Sequence, residues 1–308
     1  MKKLTLLLLI LILLFTGCTA PKKPSKNETE SASSSVTQNT NVTPKEDGVY
    51  TVENSTDTTT FAIFSDAHIG EEMRHVRTLK NVSAWVNTQE NINYVLFLGD
   101  NIHYGYAANK TLTQSQLDLF NKYAPTLKKP YFVLRGNHDP DVMEFEDKML
   151  IECGSTNVIC FFADYFMTDP NDALQNTGKV SPAMLKWIEE ALKKSSGKRV
   201  VFACHYAIAD KDGTNFTSPI LPKTDENDFG REKLLKLAEQ YDVELYFNGH
   251  EHNKNCPSAT VGNITNFNIG KFTHVFAVVS LSADGAVIEI HDSDSPETVI
   301  KTTEYKFK

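Results

Sequence analysis

Five short apolar runs, each stopped by a polar cluster, constrain what this chain can fold into more than any other feature. Residues 61–64 run into Ser65, Asp66, Ala67 and His68; residues 94–98 run into Gly99, Asp100 and Asn101. Residues 131–134 run into Arg135, Gly136, Asn137, His138 and Asp139, residues 200–203 precede Cys204 and His205, and residues 243–247 precede Asn248, Gly249, His250, Glu251 and His252. Runs of this length bounded by turn residues read as buried strands. Helical spacing fills much of the space between them, over 71–88, 113–128, 181–195 and 229–241. In the third segment Ser181 can cap the free amides, Pro182 suits the first turn, and Met184, Leu185, Ile188 and Leu192 recur on one face. Alternating strand and helix predicts an α/β fold with largely parallel strands. In such sheets ligands bind beyond the carboxyl ends of the strands, so the five clusters are expected to converge there.

Past His252 the pattern changes. Residues 274–281, 286–291 and 299–307 read as successive strands separated by turn signals such as Asp284-Gly285, which predicts a second, mostly antiparallel sheet. The loops expected to wall the pocket, 103–114, 139–179 and 206–230, carry no recognisable specificity code.

The N-terminal residues read as an export signal. Met1, Lys2 and Lys3 precede an apolar run over 6–15 that is shorter than the roughly 20 residues a spanning helix needs. Thr16, Gly17 and Cys18 close it in a pattern that resembles the lipobox of prokaryotic lipoproteins, with Phe15 where that pattern prefers leucine. The resemblance implies a signal peptide over 1–17, lipidation of Cys18, and an exported protein anchored to the outer face of the cell membrane; a plain signal peptide and an uncleaved anchor are the alternatives. Residues 18–60 are rich in Ser, Thr, Asn, Lys and Glu and are expected to form a disordered tether, leaving 61–308 as the folded domain. A formal net charge of −8 argues against gripping nucleic acid or acidic lipid through general surface charge. Of the cysteines after Cys18, Cys153 and Cys160 are the candidates for a disulfide, with buried free thiols the equal alternative.

Taken in order, the motifs DxH (Asp66, His68), GDN (Gly99–Asn101), GNHD (Gly136–Asp139), His205 and GHxH (Gly249–His252) resemble the calcineurin-like metallophosphoesterase superfamily, over roughly 61–252. Each motif alone also occurs in ordinary turns or as a buried imidazole; their conjunction in one order carries the assignment. The resemblance implies a two-sheet sandwich flanked by helices, with two metal ions, manganese, iron or zinc. It assigns Asp66, His68, Asp100 and His252 to one ion and Asp100, Asn137, His205 and His250 to the other, with Asp100 as the bridge. It further implies hydrolysis of phosphate mono- or diesters by a metal-bridging hydroxide, with His138 as proton donor or phosphate contact and Asp139 orienting its ring. Arg135 is a candidate phosphate contact or else a surface residue. His103 stands where purple acid phosphatases carry a metal-binding tyrosinate, and is read as a substrate contact or a solvated loop histidine. His75, His274 and His291 match no motif. A surface lipoprotein that captures metal or phosphate without turnover is the alternative reading.

Overall fold

The computed structural model describes residues 42–45, 48–54, 56–166, 177–209, 219–220, 224 and 228–308. The expected signal peptide, Cys18 and the first part of the tether lie outside them, as do parts of the 139–179 and 206–230 loops. Along the chain the elements are β1 (Val42–Pro44), β2 (Val49–Val52), β3 (Thr59–Phe64), α1 (Met73–Val86), β4 (Tyr94–Leu98), α2 (Lys110–Tyr123), β5 (Tyr131–Leu134), β6 (Lys148–Cys153) and β7 (Thr156–Phe161). They continue with β8 (Asp164–Phe166), β9 (Thr177–Lys179), α3 (Pro182–Lys194), β10 (Arg199–Ala203), α4 (Arg231–Gln240), β11 (Leu245–Asn248), β12 (Ser258–Val261), β13 (Ile264–Asn268), β14 (Val275–Leu281), β15 (Gly285–Asp292) and β16 (Val299–Lys306).

All four helices coincide with stretches of helical spacing, and Ser181 caps α3 by accepting a hydrogen bond from the Met184 amide. The strands form two principal sheets, ordered β1-β2-β6-β7-β10-β11-β13-β12 and β16-β15-β14-β3-β4-β5. Three apolar layers follow. One core, including Phe61, Tyr94, Phe132, Val201 and Phe247, lies between the sheets. A second packs α3 and α4 on the eight-stranded sheet, and a third packs α1 and α2 on the six-stranded sheet. The fold is therefore the expected two-sheet sandwich flanked by helices.

Two expectations change, and one open alternative is decided. The strands after His252 do not make a sheet of their own: β14 pairs antiparallel with β3, so β14–β16 extend the parallel β3-β4-β5 group into one mixed sheet. The sheet begins before residue 61, because β2 pairs in parallel with β6 and buries Val49, Tyr50 and Val52. The polar composition around it hid a four-residue strand whose apolar side chains complete the core. Finally, Cys153 and Cys160 are free and buried. In the β6/β7 ladder Cys153 faces Thr156 while Cys160 faces Met149, four residues away along the strand, too far for a disulfide.

A chain truncated to begin at Phe61 is expected to lose the burial of three apolar side chains, roughly 1.5–3 kcal/mol for each one fully buried. Thermal unfolding followed by circular dichroism checks this: it should melt well below a chain beginning at Val42, and equal melting temperatures would show β2 to be dispensable.

Candidate metal centre

Every polar cluster follows the carboxyl end of a parallel strand, β3, β4 and β5 in one sheet and β10 and β11 in the other, so the site straddles the seam between sheets. Backbone bonds lock the loops together. The Asp66 amide donates to the Gly99 carbonyl at 3.1 Å, His68 to Asp100 at 2.9 Å, and Gly249 to His205 at 3.1 Å. Across the seam, His205 Nδ1–H donates to the Leu98 carbonyl at 2.8 Å, and the His250 amide donates to the Asp66 carboxylate at 3.0 Å. His205 therefore turns Nε2 toward the pocket.

The ligand-type residues are not extended, as strand alternation would have them. Asp66, His68, Asp100, His250 and His252 all have positive φ, between 42° and 66°. For non-glycine residues this left-handed backbone is uncommon and costs on the order of 1 kcal/mol each. Left-handed turns, rather than the two-residue period of a strand, aim these side chains inward. Glycines supply the clearance: a Cβ on Gly249 would lie 1.7 Å from Ser65 Oγ, and one on Gly99, itself at φ +87°, would lie 2.5 Å from His205 Nδ1.

Three donor groups result, Asp66/His68/Asp100/His252, Asp100/His205/His250 and, toward the rim, His68/His103/His138, each with ligand atoms within 4.8 Å of one another; Asp100 belongs to the first two. Asn137 Oδ1 lies 3.1 Å from His205 Nε2, which brings it to the second group. His205 Nε2 is 3.3 Å from Asp100 Oδ2, and His252 Nε2 is 3.1 Å from Asp66 Oδ1. His68 Nε2 and His252 Nε2 stand 3.0 Å apart. Asp66, Asp100 and His205 are buried to 0%, 1% and 0% exposure, so the surroundings must answer their charge from within.

That answer sets the ionisation of the site. Burial opposes ionisation of Asp100, yet the His205 charge and hydrogen bond outweigh it and hold the carboxyl well below its ordinary value. Asp66 is likewise lowered, with His205 and His252 overcoming burial. For His205, desolvation is beaten by Asp100 and Asp66, and its pKa rises to about 10. For His68 and His250 desolvation wins, pushing them down to about 3 and about 4. Two neutral imidazoles thus present lone pairs beside two buried carboxylates, and His68 Nδ1 is buried without a partner. This mixture of oxygen and nitrogen donors fits divalent manganese, iron or zinc.

The remaining candidates divide. His138 is bound at Nδ1–H to the His103 carbonyl, 2.7 Å, with its ring 4.7 Å from that of His68, so Nε2 is its free nitrogen. His103 stands at the rim, its ring 5.5 Å from both His68 and His138. Asp139 does not touch the His138 ring. It accepts from the amides of Asn101, Ile102 and Gly136 and from the Asn101 side chain, at 2.9 to 3.1 Å, and so ties the loop after β5 to the loop after β4. Arg135 turns away: its guanidinium pairs with Asp147, donates to the Pro140 carbonyl and lies over the Phe162 ring, which removes it as a phosphate contact. Supporting residues take roles that the sequence had not assigned to them. Ser65 donates to Asp66, His75 Nδ1–H holds the Ala67 carbonyl, and the Tyr106 hydroxyl holds the Asn137 carbonyl. Adjacency to a motif was the only available signal, and only for Ser65. A cleft of about 520 Å³ lined by Ser155, Lys198, Arg199 and Asp242 lies at the opposite ends of the strands and contains no such donor cluster.

This fold and donor set define a metal-dependent phosphoesterase class. Residues 59–254 match the calcineurin-like phosphoesterase family, and the chain belongs to it. Purple acid phosphatase 4 of Arabidopsis thaliana is 27% identical over 195 residues, 54% of each chain, so the present protein spans about half the length of that relative. Among solved structures, GAP50, the anchor in the inner membrane complex of Plasmodium, superposes with a TM-score of 0.57 at 13% identity, covering 82% of this chain and 89% of that one, a likeness of fold.

Metal must displace the His205 proton to reach Nε2, whereas His68 and His250 are already neutral at pH 7. Manganese affinity is therefore expected to rise with pH from neutrality toward 10, by up to about tenfold per unit for one linked proton. Asp66 also holds His252 above its ordinary value, so calorimetric titration in buffers of different ionisation enthalpy should register at least one proton released at pH 7, and no buffer dependence would contradict the linkage.

Proposed function

We propose that this protein hydrolyses phosphate mono- or diesters at a dinuclear metal site, with Asp66, His68, Asp100 and His252 holding one ion and Asp100, Asn137, His205 and His250 the other. The observation that carries the reading is the pair of donor groups sharing buried Asp100, with His138 beside them. When bound, two divalent ions supply Lewis acidity at the phosphoryl oxygens and a water activated near neutral pH.

The chain's own residues do the rest. Asp66 and Asp100 bring two negative charges, so two divalent ions leave a surplus of about two positive charges to attract a phosphate anion. Asn137 adds a donor without cancelling any of it. The His103 carbonyl fixes the His138 tautomer, leaving Nε2 to contact the phosphoryl group or pass a proton to the leaving oxygen. His103 contacts the substrate from the rim. Asp139 positions His138 through the backbone, by holding the turn that carries it. A relative whose name is that of a phosphatase supports ester hydrolysis. The proposal includes export and a lipid anchor at Cys18, on the strength of the N-terminal sequence pattern. No helix among the described residues is long and apolar enough to cross a membrane.

A manganese-loaded sample assayed against phosphate monoesters and diesters, with elemental analysis, tests the reading; stoichiometric metal without turnover of any ester would favour ligand capture instead. His138→Ala is expected to keep both ions while losing about 100-fold or more in kcat, and loss of metal in that variant would remove His138 from this role. Asn137→Asp should melt within a few degrees of the parent yet lose most turnover, and retained activity would count against Asn137 as a neutral ligand.

A further inference from the structure

Two peptide units at the metal centre are held at both ends, and each carries a ligand of a different ion. The first joins Ala67 to His68. Its N–H donates to the Asp100 carbonyl at 2.9 Å, and its oxygen accepts from His75 Nδ1–H at 2.7 Å. The second joins Asn137 to His138. Its N–H donates to Asp100 Oδ1 at 2.7 Å, and its oxygen accepts from the Tyr106 hydroxyl at 2.8 Å. Asp100 thus takes the N–H of both units, and a ring from outside the ligand set takes the oxygen of each. A peptide unit is planar, so holding its N–H and its C=O together fixes its orientation and removes a rotation from the residues on either side. For His68 that rotation is φ, which stands at 42°, a strained value that a released unit would leave.

The two rings are themselves anchored. His75 is buried in the first turn of α1, and its Nε2 stands 3.3 Å from Glu71 Oε2, an oxygen that also accepts from Lys271 Nζ at 2.9 Å. Around Tyr106, Gly105 N donates to the His138 carbonyl at 2.7 Å, Asp141 N to the Gly105 carbonyl at 3.0 Å, and Thr113 Oγ1 to the Tyr106 carbonyl at 2.9 Å. We propose that His75 and Tyr106 are positioning residues, one for each ion: His75 aims His68 at the first, and Tyr106 aims Asn137 at the second. The proposal rests on the dinuclear reading above. His75 belongs to none of the three donor groups, and the Tyr106 hydroxyl is spent on a carbonyl, so direction is what they contribute. Partners that orient ligands from behind in this way govern metal affinity nearly as strongly as some ligands do.

Calorimetric titration with manganese tests this, the melting temperature of each variant being measured alongside. His75→Ala and Tyr106→Phe should each weaken one of the two binding steps by about tenfold or more and leave the other largely unchanged. His75→Asn places an amide N–H where Nδ1–H stands and should restore the lost affinity, which a packing role for the ring would not. In an Asn137→Ala background, which spoils the second ion, His75→Ala should still cost about tenfold; in a His68→Ala background it should cost nothing further, because its effect travels through His68. Both ions loading on His75→Ala as on the parent, equal weakening of both steps, or a loss that His75→Asn leaves in place overturns the positioning alone. A parent that takes up fewer than two ions overturns the dinuclear reading, and the positioning with it.

Discussion

Two buried carboxylates, Asp66 and Asp100, govern this molecule. Neither has measurable contact with water, and both stay ionised only because imidazoles answer them from within the site. An isolated carboxylate in that position would cost several kcal/mol after relaxation. The surrounding design follows from that demand: five loops bring histidines and an asparagine to the two carboxylates, and two sheets must meet at their carboxyl edges for the loops to reach. Without metal the arrangement is satisfied incompletely. His205 is driven to carry a proton and Asp66 pushes His252 the same way, while His68 and His250 are kept neutral and His68 leaves a nitrogen unpartnered. Two buried carboxylates beside neutral imidazoles make a donor set that suits a cation.

The strain in the backbone has the same origin. Left-handed φ at five of the ligand-type residues is tolerated because neighbouring loops overdetermine those turns, through the Asp66–Gly99, His68–Asp100 and Gly249–His205 amide bonds. Asp139 belongs to this scaffold. Burial and the nearby Asp100 charge push its carboxyl up to about 7, against four hydrogen bonds that favour the ionised form. Its position next to His138 in sequence suggested contact with the ring; in space it works through the backbone, on the other side of the turn.

What the sequence disclosed, and what it did not, follows from these forces. Strand ends carrying Asp, Asn and His stand out because such residues are otherwise rare beside apolar runs, so β3, β4, β5, β10 and β11 and their clusters were legible. The β6/β7 hairpin was not, because Thr156, Asn157 and Lys148 interrupt its apolar pattern, and β2 was masked by its polar surroundings. Residue type also says little about direction. Arg135 has the chemistry to bind phosphate, but Asp147 and Phe162 claim its guanidinium, and that competition exists only in three dimensions. The antiparallel character of β14–β16 was readable from turn signals; their attachment to β3 depended on which edge of the parallel group remained open.

The position of the centre on the seam carries a further consequence for how site and fold support one another. The inter-sheet core is apolar and would hold the sheets together with considerable freedom in register, since packing of this kind is non-directional. The bonds from His205 to Leu98 and from His250 to Asp66 are directional, and they cross between the sheets at the carboxyl edge. They therefore select one register of one sheet against the other, the register in which Asp100 can belong to both donor groups. Because the same side chains that lock the sheets also provide the donors, cation binding draws its free energy from the native arrangement of both sheets and returns it as resistance to their separation.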